Sequence, residues 1–495
     1  MTVNRLPAKT LASPPTANRA QRRARLAFAL VLLGAAGLAG AATPPAPAAP
    51  SAAAAPPAAP PAAAAAPAVP PPPPPIASVP VIPQASTLSE MFTLGKPLIH
   101  LRLRYEGADD ETRREDSDAA TLRTALGFRT ASFHGIFGLA EFESVLAAGD
   151  YDDGGTNRGM SPRYSPIIDP EGAEINQAYV GIDALPKTVI QIGRQSILDR
   201  EAPFHRYLGN VLWRQNWQTH DAVGISNGSL PNTVLRFWYT WNINRIYGED
   251  NPTRGFDDKG LDGYLMNAVY TGLPLGKIEA YAYLLDFDRS RVPAIRSFYP
   301  STQTYGLRFD GKYAIDPKLD LLYIAEVAHQ ADFADNPSGN IDQFFLWGSL
   351  GATYKPGGIV QALTAKISHE HLGGDGGADR FTTPLATLHA FQGWADRFLN
   401  TPGDGIEDTY TTAIATIAGF NLMFDYHWFD SDNDDYSFGE EADVSLVKTF
   451  AVHYTAGLKY ANYDADGNAL NRARNTAGGQ AADLERVWAW IEYKY

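Results

Sequence analysis

The sequence predicts an all-β protein: a transmembrane antiparallel β-barrel of about 18 strands (16–18), with long loops and a short inserted helix. Three observations carry this. The chain ends on an aromatic, Tyr495, closing a stretch in which Val487, Ala489, Ile491, Tyr493 and Tyr495 alternate with Trp488, Trp490, Glu492 and Lys494. A period of two is a strand with two different faces, and an apolar face that carries aromatics suits a lipid-facing last strand. Similar alternation recurs along the chain, and its polar face is repeatedly arginine. Finally, after the N-terminal segment no run is long and apolar enough for a spanning helix.

The N-terminus points to export. Residues 1–25 carry Arg5, Lys9, Arg19, Arg22, Arg23 and Arg25 and no acid; an apolar run follows, and Ala39-Gly40-Ala41 offers a small-x-small cleavage site. Basic, apolar, then small is the order of a secretory signal, expected over residues 1–41 and removed after Sec-type export. The chain has no cysteine, so disulfides cannot stabilise it in an oxidising compartment. Residues 42–87 are dominated by Ala and Pro, with Pro70 to Pro75 unbroken. Such a composition cannot bury a core and favours extended polyproline II, so a disordered linker is expected there.

Residues 88–495 read as one barrel domain. Formal charge is −14, and it becomes −20 once the six bases of residues 1–25 are removed. That balance speaks against nucleic acid as a partner. Ile99, Leu101, Leu103 and Tyr105 share a face opposite His100, Arg102 and Arg104. Leu122, Thr124, Leu126 and Phe128 oppose Arg123 and Arg129. Tyr305, Leu307 and Phe309 oppose Arg308 and Asp310, and Leu321, Tyr323 and Val327 oppose Asp320 and Glu326. Apolar outside and charged inside is the pattern of a barrel in lipid. At about 22 residues per strand and connection, the domain has room for roughly 16 to 18 strands, enough for a lumen.

Two interior blocks add a family resemblance. Residues 192–222 read IGRQSILDREAPFHRYLGNVLWRQNWQTHDA, and residues 381–410 read FTTPLATLHAFQGWADRFLNTPGDGIEDTY. With NRIYG at 244–248, YGLR at 305–308 and YIAEVAHQ at 323–330, they resemble the alginate export family over most of residues 90–495. The resemblance implies an eighteen-stranded barrel in the Gram-negative outer membrane, passing an anionic polysaccharide (an alginate-like polyuronate) passively through an arginine-lined lumen. It implies outer-membrane lipid, the barrel-assembly machinery and periplasmic export components as partners, with no catalysis and no cofactor. By motif, Arg194 and Arg214 become lumen residues; Arg102, Arg104, Arg123, Arg129 and Arg308 are chosen by their face, and Glu326 as an acid that keeps binding weak. Arginine suits the role, since its planar fork holds a carboxylate bidentately. These arginines can equally form a structural network with neighbouring acids. Two alternatives stay open: a channel of the same fold for small anionic solutes such as sugar acids or aromatic acids, and a barrel enzyme.

The second block reads locally as a helix. Thr383 is a fitting N-cap, Pro384 a fitting first-turn residue, and Leu388, Phe391, Ala395 and Phe398 follow at helical spacing up to Gly403 and Gly405. It would lie in the lumen as a plug or constriction, with His389, Trp394 and Asp396 on it. Residues 224–228 match G-x-S-x-G, but they lead into another strand instead of the helix that a nucleophile elbow requires. His369 and His371 share a face with Glu370 on the other, and zinc would need further ligands that the sequence does not supply. Asp430, Asp432, Asp434 and Glu441 have calcium-loop spacing, but Asp435 stands where that loop needs glycine.

Overall fold

The computed structural model describes residues 79–151, 163–200, 206–249, 251, 258–288, 299–334, 336 and 340–495. The expected signal (1–41) and most of the expected linker (42–78) lie outside them.

Eighteen antiparallel strands close on themselves. In chain order they are β1 (Lys96–Asp110), β2 (Ser117–Arg129), β3 (Ile136–Tyr151), β4 (Gly172–Ile182), β5 (Thr188–Gln195), β6 (Thr219–Asn227), β7 (Thr233–Asn244), β8 (Asp258–Leu273) and β9 (Gly276–Phe287). Then come β10 (Thr302–Asp316), β11 (Leu319–Asp332), β12 (Asp342–Tyr354), β13 (Val360–Leu372), β14 (Ile406–Ile417), β15 (Phe420–Asp430), β16 (Ser437–Phe450), β17 (Tyr454–Ala465) and β18 (Leu484–Lys494). Each strand pairs with its sequence neighbour, and β1 pairs with β18 from His100↔Lys494 to Asp110↔Leu484. The terminal aromatic completes the seam: the Tyr495 N–H donates to the Ile99 carbonyl at 2.9 Å. Closure leaves the described strands without a free sheet edge, so their backbone donors find partners within the wall.

The two faces fall as the alternation requires. Leu101, Leu103, Leu126, Tyr305, Leu307, Val327 and Ile367 are exposed on the outside, while Arg102, Arg104, Arg123, Arg308, Glu326 and Glu370 are buried inside. An apolar belt around a closed barrel is a surface for lipid, and it places the protein in the outer membrane. On β18 the inward row is Arg486, Trp488 and Trp490: Trp488 is fully buried and both tryptophans meet Trp213 edge-on.

Connections differ at the two ends. At the end holding both Lys96 and Tyr495, turns run from two to six residues; at the other, connections run from six to 33 residues. One of the two-residue turns, Ala418-Gly419, has φ of 51° and 76°, the doubly positive conformation that matches strand twist and favours glycine at its second position. Short turns mark the periplasmic end of such barrels and long loops the outer end.

Part of the segment expected as linker is docked. Gln84–Ala85 pairs in parallel with Ser132–Phe133, and Ile82 packs on Phe137 and Val189 at the short-turn end. Helix α1 (Leu88–Thr93) follows, its first turn capped by the Thr87 hydroxyl accepting from the Glu90 N–H at 3.1 Å. Residues 79–87, expected as linker, are therefore packed against the barrel at its short-turn end. A second short helix, α2 (Ala469–Asn475), sits in the β17–β18 loop.

The expected helix over 383–403 does not form. Leu388, Gln392, Gly393 and Asp396 all have positive φ, which a right-handed helix cannot contain. The segment spends its backbone donors on the barrel wall instead: Thr382 N–H on Gln330 (2.8 Å), Trp394 N–H on Asp443 (3.1 Å) and Ala395 N–H on Glu441 (2.7 Å). Gly393 lies so close to Glu441 that a Cβ would come within 2.4 Å of its carboxyl group. Its spacing of apolar residues reflects burial on several sides, which a periodicity argument mistakes for one helical face.

Candidate functional site: a loop-filled lumen

Two long connections enter the lumen from the long-loop end, described over residues 196–200 and 206–218 of the first and 373–405 of the second. They bind each other: the Gly209 N–H donates to the Leu385 carbonyl at 3.0 Å, the Gln218 amide to the carbonyls of Gly209 and Leu385, and Arg206 to the Gln392 amide oxygen at 3.0 Å. They also bind the wall. Arg102 reaches Gln215 (2.8 Å) and the Leu212 carbonyl (2.8 Å), and Arg104 donates to the Trp213 carbonyl and to Asp169. Arg486, which strand alternation alone did not single out, donates to the Ala395 carbonyl at 2.8 Å and to Glu106 at 2.8 Å.

Glu106 is the hub of this network. Fully buried on β1, it accepts from Arg104 (3.1 Å), Arg214 (3.0 Å) and Arg486 (2.8 Å). Arg214 goes on to Asp396 at 2.9 Å, and this carboxylate cluster holds its guanidinium well above the ordinary arginine range despite burial. On the far wall Arg200 lies between Glu279 (3.0 Å) and Glu326 (2.8 Å), and Glu326 also takes Arg308 (2.9 Å). Arg123 donates to Glu143 at 2.7 Å and sits 3.7 Å over the Trp217 ring.

The expected lumen residues are thus mostly inside, but engaged. Among the described buried residues eleven arginines meet sixteen aspartates and glutamates, so acids outnumber arginines in the interior and it is not electropositive. Of the arginines expected to hold substrate carboxylates, Arg104, Arg123, Arg194, Arg214 and Arg308 already hold the protein's own. Arg194 stands apart from the loops: half-exposed near the long-loop end, it pairs with Asp221 (3.0 Å) and Glu249 (2.8 Å) beside an open crevice of about 570 Å³ that also has Asp262 and Asp286 on its walls. Arg129 ends β2 at the short-turn end, half-buried. The acidic run does not make a calcium loop. Asp430 is exposed, Asp434 pairs with Arg474 at 2.6 Å, and Glu441 points into the lumen on β16. The β15–β16 hairpin carries Asp430 and Glu441 to opposite faces of one wall, so their carboxylates cannot share an ion.

The plug residues do come together. His389 stacks on Trp213 with centroids 4.8 Å apart, Nδ1 lies 2.7 Å from the Asp396 carboxylate, and Nε2 lies 2.8 Å from the Lys459 ammonium. Lysine can only donate, so Nε2 accepts, Nδ1–H donates to Asp396, and the ring is neutral. Burial accounts for this first, and it outweighs Asp396: the His389 pKa is lowered to about 3. Lys459 also lies 3.7 Å over the Trp394 ring. Between the loops and strands β12–β17 is a chamber of about 340 Å³, lined by Trp213, Phe391, Trp394, Tyr410, Lys366 and Lys459 among others.

A pH effect follows. A histidine near 3 when folded and near 6.5 when unfolded takes up its proton only on undocking, so acidification from 6.5 towards 3 favours the undocked form. The depressed Asp396 carboxyl adds to this in the same direction at the acidic end. Loop docking should therefore weaken below pH 6.5, read as rising hydrogen exchange across residues 385–397. A His389→Gln variant should flatten the profile between pH 6.5 and 4.

No family model matches the chain, and no curated protein sequence does. Solved structures do. OccK9 (OpdG) of Pseudomonas aeruginosa superposes with a TM-score of 0.60 at 12% identity, covering 82% of this chain and 100% of that one. OpdK of Pseudomonas aeruginosa with vanillate gives 0.59 at 13%, covering 82% and 99%. OccAB4 of Acinetobacter baumannii gives 0.58 at 11%, covering 81% and 98%. The fold is that of an outer-membrane porin. At these identities the likeness is one of fold, and the alginate export resemblance rests on its motifs alone.

Proposed function

We propose that this protein is an outer-membrane channel that passes small organic anions, aromatic carboxylates foremost, by passive diffusion through a loop-constricted lumen. The observation that carries this reading is the filling of the barrel. Two connections, bonded to each other and to opposite walls, leave a chamber of about 340 Å³ in which Trp213, Phe391 and Trp394 stand beside Lys366 and Lys459. That volume is of small-molecule size. Aromatic faces can stack on a ring while an ammonium takes its carboxylate. A polymer would need a wider bore than a lumen cross-braced by Arg104, Arg214 and Arg486. Vanillate bound to OpdK, a barrel of the same fold, is an aromatic carboxylate and supports the same choice.

Planar-bilayer recording tests it. Millimolar vanillate or benzoate should produce brief, voltage-dependent interruptions of the current, gluconate weaker ones, and polymannuronate none. Lys366→Met should shorten the vanillate events several-fold while leaving the barrel heat-modifiable on gels. Block by polymannuronate at lower concentration than vanillate would return the polyuronate reading, and indifference to every anion would remove both.

A further inference from the structure

The structure assigns a divalent-metal site, of the Zn²⁺ class, to His371, Glu407 and Asp432, where the lumen loop 373–405 leaves and rejoins the barrel. His371 is the penultimate residue of β13 and Glu407 the second residue of β14, and the two are direct cross-strand partners. Asp432 follows β15, whose last residue, Asp430, pairs with Glu407. Inward-facing Leu372 is buried, so His371 projects to the outer side of the wall, away from the lumen network.

The geometry favours an ion over a hydrogen bond. His371 Nδ1 lies 3.6 Å from Glu407 Oε1 and 3.6 Å from Asp432 Oδ1, and the three donor atoms fall within 4.8 Å of one another. At 3.6 Å neither contact is a hydrogen bond. Bonds of ~2.0–2.1 Å to a tetrahedral ion put its ligand atoms roughly 3.3 Å apart, close to the two 3.6 Å separations from the histidine. One nitrogen and two carboxylate oxygens suit Zn²⁺ or a neighbouring first-row ion, with water in the fourth position, and are a poor set for Ca²⁺. The Asp432 carboxylate is also held. The other Asp432 oxygen accepts the Gly374 N–H at 3.0 Å, a bond that fixes the ligand's orientation and ties it to the first residues of the loop. An ion here joins β13, β14 and the β15 end at the neck of the loop that fills the lumen, and so steadies that loop from outside the pore.

The test uses the full chain, folded in detergent and stripped of metal with a chelator. Isothermal titration with ZnCl₂ should show one equivalent bound at micromolar concentration. His371→Asn should weaken that event at least tenfold, and His329→Asn, which alters the separate exposed His329–Asp342 pair, should leave it unchanged. Co²⁺ should give the intense visible bands of a four-coordinate site, lost in Glu407→Gln. Open-channel current noise should fall on adding Zn²⁺ and return on chelation in the native chain but not in His371→Asn. If His371→Asn fails to give a heat-modifiable barrel, Asp432→Asn, which can still accept from Gly374, takes its place. Absence of saturable Zn²⁺ binding, or equal binding in these variants and the native chain, would overturn the site. Zn²⁺ binding without any change in current noise would overturn its role at the neck.

Discussion

Replacing residues 381–401 with a short Gly-Ser linker should raise single-channel conductance several-fold while the protein remains a heat-modifiable outer-membrane barrel. The reasoning separates wall from filling. The strands that flank the loop pair directly, Leu372 with Ile406 and onward along β13 and β14, so the wall keeps its ladder and the linker spans a short gap. What disappears is the segment carrying Phe391, Trp394 and Phe398, all buried inside the barrel, together with its bonds to Glu441, Asp443 and Gln330. The variant should lose the brief vanillate events and admit polymeric blockers that the native channel excludes. Unchanged conductance would shift the constriction to residues 206–218, which Arg102 and Arg104 hold in place from β1.

Glu106→Ala should be the most destabilising single substitution in the lumen. Its carboxylate is shared by Arg104, Arg214 and Arg486, and removal leaves three buried guanidiniums short of a counter-charge. Breaking a buried pair from one side costs ~3–5 kcal/mol because the remaining charge is uncompensated. Asp169 and Asp396, which also meet Arg104 and Arg214, recover part of that. Glu106→Gln, which keeps the shape and one acceptor oxygen, should fall between. Denaturant unfolding in detergent reads the difference, and a loss below ~0.5 kcal/mol for Glu106→Ala would show that the network positions loops without stabilising the barrel. Because Arg214 and Arg486 bridge from Glu106 to Asp396 and the Ala395 carbonyl, the same variant should also show increased current noise.

The wall was legible because a strand in lipid obeys a local rule. Successive residues face lipid and lumen in turn, so Leu101 and Leu103 against Arg102 and Arg104, or Tyr305 and Leu307 against Arg308, report their sides without knowledge of any partner. The terminal Tyr495 belonged to the same pattern. The place of the filling was legible too, since a long block rich in aromatics interrupts the strand rhythm between β13 and β14. Its conformation was not. Phe391, Ala395 and Phe398 repeat at helical spacing, yet they are buried against several walls, and positive φ at Leu388, Gln392 and Asp396 follows from contacts no local window contains.

The alternation, with the length of the domain, determined a lipid-facing barrel of roughly 16 to 18 strands with an ionic interior. Only the tertiary structure decided what that interior does with its charge. Glu106 meets Arg486 across 380 residues of sequence, and Arg200 meets Glu326 across 126. Such pairs arise from closure and register, which bring distant strands and incoming loops to one height in the lumen. That is why arginines that read as a substrate track are cross-braces. It is also why His371, short of ligands in its own strand, finds Glu407 on the neighbouring strand and Asp432 just past the end of the strand after that.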